Sequence, residues 1–133
     1  MFFDVIIIFI REELSETRPV FLLAYRGGLF NAHWGMWIPN ATDKGIGTTI
    51  HVTGSLKAGF EHEFKRNYRP DDTGRNVQVI PLGNVPADAI SDFPLSDEIT
   101  LDVSPIDRLE EEALVVPAPG PSMRSTSGTG PVR

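Results

Sequence analysis

Apolar and polar positions along this chain predict strands over most of its length. The run Val20-Phe21-Leu22-Leu23-Ala24-Tyr25 is continuously apolar and closes on Arg26-Gly27-Gly28, as expected of a central strand buried on both faces and followed by a turn. The stretch Asn31-Ala32-His33-Trp34-Gly35-Met36-Trp37-Ile38-Pro39 comes next. Strand side chains alternate, so Trp34, Met36 and Ile38 fall on one face and His33, Gly35 and Trp37 on the other. Thr48-Thr49-Ile50-His51-Val52-Thr53 reads as a third strand, with His51 on the face of Thr49 and Thr53. Gly59 to Tyr68 alternates strictly. Phe60, His62, Phe64, Arg66 and Tyr68 share one side, and Glu61, Glu63, Lys65 and Asn67 share the other, which marks an outer strand with a solvated charged face. A turn over Arg69-Pro70-Asp71-Asp72-Thr73-Gly74 leads to a strand from Asn76 to Pro81, and the two strands are expected to form a hairpin.

The ends of the chain read differently. Phe2 to Ile10 is an apolar, β-branched run that fits a buried strand at an edge of the main sheet, with an apolar helical turn or a mispredicted gene start as the alternatives, and the charged group from Arg11 to Arg18 then serves as a connector. Late in the chain, Pro86 to Ile90 fits a helical turn, and Ser91 to Val103 is mixed and acidic. Ser104, followed by Pro105 and Asp107, predicts a capped helix reaching about Val115. From Pro117 to Arg133 the chain is Pro, Gly, Ser and Thr with almost no apolar content, the composition of a disordered tail. The expected organisation is an apolar strand and connector (1–18), a single α+β domain (19–116) and a tail (117–133). The α+β domain is an antiparallel, mostly meander sheet of about five strands with short C-terminal helices.

Composition narrows the function. With 133 residues, 41% hydrophobic and 23% charged, one globular domain with a modest core is expected. A formal charge of −6, with no basic cluster larger than Lys65-Arg66 and Arg69, argues against a nucleic-acid partner. Phe2 to Ile10 carries Asp4 and is too short to span a bilayer, which needs about 20 apolar residues, and it lacks the basic lead and cleavage site of a secretory signal. A cytoplasmic location is therefore expected. No glycine cluster with a following Lys-Ser or Lys-Thr sits between a strand and a helix, so no nucleotide or other cofactor is expected. The chain has no cysteine, which removes disulfides, thiolate metal sites and a cysteine nucleophile.

Three histidines remain: His33, His51 and His62. Joined with Glu63 they could be read as a zinc site, but the close histidine pair that gives such sites their specificity is missing, and no metal is expected. His62, flanked by Phe60 and Phe64, reads as a partly buried structural residue.

His33-Trp34-Gly35-Met36-Trp37-Ile38, followed on the next strand by Ile50-His51-Val52, resembles the histidine strands of circularly permuted papain-like proteins, the group that includes the lecithin:retinol acyltransferase-like enzymes. The resemblance covers about Val20 to Val52 and, more loosely, the sheet to Pro81. The run from Ala32 to Tyr68 is also similar to uncharacterised fungal proteins that share the His-Trp-Gly strand. The resemblance implies that His33 is the general base for a cysteine nucleophile and His51 its orienting partner. Trp34 and Trp37 would line the adjoining groove. Because the chain has no cysteine, the expected function is that of a non-catalytic papain-like module, a pseudoenzyme that binds a small molecule or a partner protein. The alternative is a hydrolase or acyltransferase with another nucleophile. Its serine candidates are weak, since Ser122, Ser125 and Ser127 lie in the tail and Ser104 is read as a cap. A cysteine-bearing helix encoded beyond Arg133 would restore the enzyme reading.

Overall fold

The computed structural model describes residues 16–26, 33–74 and 76–121. Six strands form one open antiparallel sheet: β1 (Thr17–Tyr25), β2 (His33–Pro39), β3 (Gly47–Ser55), β4 (Gly59–Tyr68), β5 (Val77–Pro86) and β6 (Thr100–Asp102). Their order across the sheet is β5-β1-β2-β3-β4-β6. Among the described residues one α-helix, α1 (Arg108–Val115), is present, and it follows β6. The apolar run at Phe2 to Ile10 and residues 122–133 of the expected tail lie outside the described residues.

The meander expected from the sequence holds for β1 to β4 and fails at β5. Instead of returning beside β4, β5 pairs along the full length of β1, from Thr17 opposite Pro86 to Tyr25 opposite Val77. β1 is apolar on both faces, so it belongs between two neighbours, which this placement provides. Pro81 and Pro86 lack the N–H of a ladder donor, and β5 accordingly has β1 as its only strand neighbour among the described residues. β4 is not an outer strand either. The sixth strand, hidden in the acidic stretch, pairs Leu101 with Lys65 and Thr100 with Arg66.

Alternation gives the sheet two distinct faces. On one, Val20, Ile38, Ile50 and Phe64 form a buried cluster packed by Met36, Val85, Ile90, Leu109, Ala113 and Leu114, so α1 covers this side. Burying a side chain such as Phe64 contributes about 1.5–3 kcal/mol. On the other face, Leu23, Tyr25, Trp37 and Tyr68 cluster with Phe21 and Val77.

Tyr68 reaches that second face through a β-bulge. Thr49 pairs with Lys65 but Gly47 pairs with Tyr68, so the register shifts by one residue in favour of β4. Asn67 takes up the extra length at φ 56°, a left-handed conformation that asparagine adopts more readily than most residues. Its side-chain amide donates to the Pro94 carbonyl at 3.0 Å. Tyr68 therefore leaves the side of Phe64 and Arg66, where strict alternation places it.

Arg66 stays on the helix side and is fully buried. Its guanidinium donates to both carboxylate oxygens of Glu110, to Asp102 at 3.1 Å and to the Ser104 carbonyl at 3.0 Å. The ring centroids of Phe64 and Phe93 lie 5.0 and 5.3 Å from it. One side chain thus ties β4 to β6 and to the helix. Ser104 is consequently not the helix cap. Asp107 takes that role, accepting from the Glu110 N–H at 2.8 Å, while Glu110 accepts from the Ile106 N–H at 3.0 Å. The expected helical turn near Pro86 is a 3-10 turn over Ala87–Ala89. The start of the expected tail lies against β4, where the Phe60 N–H donates to the Pro119 carbonyl at 2.8 Å.

Removing one partner of a buried ion pair strands the other charge. Glu110→Ala is expected to lower the unfolding free energy by about 3 kcal/mol. In urea denaturation the neighbouring exposed Glu111→Ala should leave the midpoint unchanged, and an equally small effect of Glu110→Ala would contradict the clamp.

Candidate functional site

The histidine face of the sheet brings four adjacent strands to one place. His33 begins β2 opposite Tyr25 of β1, and His51 of β3 pairs directly with Glu63 of β4. Gly35 lies one step beyond the Met36–Ile50 pair, on the same face as both histidines. A Cβ at Gly35 would sit 2.7 Å from the Thr49 methyl and 3.5 Å from the His51 Cβ. Its absence leaves the space across which His51 leans diagonally towards His33.

The result is a hydrogen-bonded chain. His33 Nε2 lies 3.1 Å from His51 Nδ1, with the rings edge to face, and His51 Nε2 lies 2.9 Å from Glu63 Oε1. An ionised Glu63 accepts only, so neutral His51 carries its proton on Nε2 and offers the Nδ1 lone pair. His33 must then donate from Nε2, which leaves its own lone pair on Nδ1. A proton arriving at His33 Nδ1 is stabilised through His51 by the Glu63 carboxylate. This is the logic by which a third group orients a histidine base and supports its charged form.

Burial pushes the His51 imidazole below the usual 6.5, outweighing the hydrogen bond and charge of Glu63, which act upwards; the Lys65 charge adds to the downward shift.

Beside the relay is a cavity of about 310 Å³ lined by Tyr25, His33, Thr49, His51, Lys65 and Tyr68. The two phenol hydroxyls are hydrogen-bonded to each other, and the Lys65 ammonium lies 5.0 Å from the Tyr68 ring centroid. The Thr49 hydroxyl is buried without a hydrogen-bond partner.

The structure thus brings His33 and His51 together and separates the tryptophans from them. Trp34 is 61% exposed and alternates onto the opposite face. Trp37 shares the histidine face but lines a different cavity, of about 290 Å³, with Phe21, Pro39 and Lys44. His62 pairs with Val52 and falls on the face opposite His51. Among the described residues, no group of three His, Asp or Glu side chains is arranged to hold a metal ion. The local sequence pattern does not single out Glu63, Lys65, Thr49 or the tyrosine pair as members of this site. Glu63 is readable in principle, because pairing strands three and four from the Ser55–Gly59 turn sets it opposite His51.

The fold and site together define an antiparallel sheet protein with a carboxylate–histidine–histidine relay on one face. The chain belongs to DUF6540, a family of unknown function, whose model matches residues 20–132. No curated protein and no solved structure matches it. Among the described residues no helix is long and apolar enough to cross a membrane.

An NMR titration should place the His51 midpoint below 6.5. Glu63→Gln should move it lower and Lys65→Met higher, since the first removes an attracting charge and the second a repelling one. The unfolded state keeps the ordinary value and so binds the proton more readily. Stability is therefore full above pH 6.5 and declines as pH falls through the folded midpoint. A midpoint insensitive to both substitutions would contradict the relay.

Proposed function

We propose that this chain is a papain-like sheet module that keeps a base and its orienting groups without a thiol, and that it binds a small molecule in the cavity beside His33 and His51. The observation that carries the reading is the Glu63–His51–His33 relay opening on a polar cavity in a chain with no cysteine. The roles fit the papain-like resemblance residue by residue: His33 stands as the base, His51 as its partner, and Glu63 extends the relay by one group. The cavity lies at the lower end of the range of about 300–1,000 Å³ typical of ligand pockets, which limits the ligand to a small molecule. A cytoplasmic setting completes the proposal.

The tautomer that an ionised Glu63 imposes through His51 favours a second reading. The relay leaves the His33 lone pair on Nδ1, the state required of a general base, so a hydroxyl delivered there would be activated for acyl transfer. The two readings separate by intact mass after incubation with p-nitrophenyl acetate. Binding without catalysis predicts no acetyl adduct that depends on His33, together with fragment-induced NMR shifts at His33, His51 and Tyr68. A stoichiometric adduct that forms in the wild type and disappears in His33→Ala would overturn the non-catalytic reading.

A further inference from the structure

The cavity beside the relay has an uneven charge. Among the described residues, Lys65 is its only fully charged lining residue, and no Asp or Glu lines it. Among the described residues, Lys65 makes no ion pair; its ammonium lies over the Tyr68 ring instead. Glu63, two residues before Lys65 on the same strand face, is engaged by the His51 N–H at 2.9 Å and is not among the residues that line the cavity. A partly buried lysine without a carboxylate partner is notable in a chain of net charge −6, where acidic partners are abundant. The same wall holds the Thr49 hydroxyl, 4% exposed as a residue and without a hydrogen-bond partner. A buried hydroxyl left unpaired is costly, and an acceptor brought to it recovers that cost.

Lys65 points to negative charge on the ligand, and the Thr49 hydroxyl offers a donor to an oxygen of that ligand. Resting on the small-molecule reading of this site, we propose that the cavity of Lys65, Thr49 and Tyr68 recognises a carboxylate. The carboxylate accepts from the Lys65 ammonium and from the Thr49 hydroxyl after rotation of its side chain. Its aliphatic or aromatic remainder lies along the Tyr68 ring. The histidine relay borders the same space, so a bound anion favours protonation of His51 and raises its titration midpoint, opposite to the effect of Lys65.

The test uses three probes of similar size and different charge, benzoate, benzamide and benzylamine, titrated into the full chain at pH 7.5 with imidazole and tyrosine NMR shifts as the readout, and a pH titration with and without benzoate for the His51 midpoint. Benzoate is expected to shift His33, His51 and Tyr68, to bind about tenfold or more tightly than benzamide, and to raise the His51 midpoint, in keeping with a charge-assisted hydrogen bond. Lys65→Met keeps the aliphatic stem and should remove that preference. Lys44→Met, in the wall of the other cavity, should not. Equal binding of benzoate and benzamide, or a benzoate affinity unchanged in Lys65→Met, overturns the carboxylate proposal and leaves the binding site standing. If none of the three probes shifts these residues, the small-molecule reading itself falls.

Discussion

The bulge at Asn67 is the constraint on which both faces of this sheet depend. A regular β4 would direct Arg66 and Tyr68 to the same side. One extra residue in the left-handed conformation separates them, so Arg66 enters the helix side and Tyr68 the histidine side. Asn67 suits the position because it tolerates positive φ and its amide finds the Pro94 carbonyl. A single backbone irregularity therefore supplies the anchor for the helix and a wall of the candidate site.

The two sides are energetically different. On the helix side, both terminal nitrogens of a buried guanidinium donate to two carboxylates and a carbonyl, its Nε alone lacking a partner among the described residues, and burial that would pull its proton off is outweighed by Glu110 and Asp102. On the histidine side the polar groups are only partly satisfied. His51 is engaged at both nitrogens, whereas among the described residues the Thr49 hydroxyl has no partner and Lys65 no carboxylate. Unspent hydrogen-bonding capacity gathered around a cavity is what a binding site requires, and the rigid clamp on the far face holds β4 where Glu63 can meet His51.

Much of this is legible in local pattern. The four meander strands follow from apolar periodicity, and alternation sets His33 opposite in direction to Met36 and His51 opposite to Ile50, so the two histidines share a face once Met36 pairs with Ile50. What local pattern does not carry depends on pairing at a distance. Glu63 sits in an alternating charged series that looks like a solvated face, and only its register against β3 sets it opposite a buried imidazole. The bulge leaves no periodic mark beyond a single asparagine, so strict alternation puts Tyr68 on the wrong side. The position of β5 beside β1 reflects the need of a doubly apolar strand for two neighbours, a property of the assembled sheet. The three residues of β6 are too few for a periodic signal, and their pairing to β4 is reinforced by Arg66 meeting Asp102.

The central claim is that a carboxylate sets the protonation of two histidines in series. Long-range proton–nitrogen correlation spectra of the imidazoles at pH 8 test it most directly. His33 and His51 are both expected to be protonated on Nε2, with His33 Nδ1 unprotonated, and Glu63→Leu is expected to release His51 to a mixture of tautomers. A His33 protonated on Nδ1, or a His51 tautomer indifferent to the loss of Glu63, would contradict it.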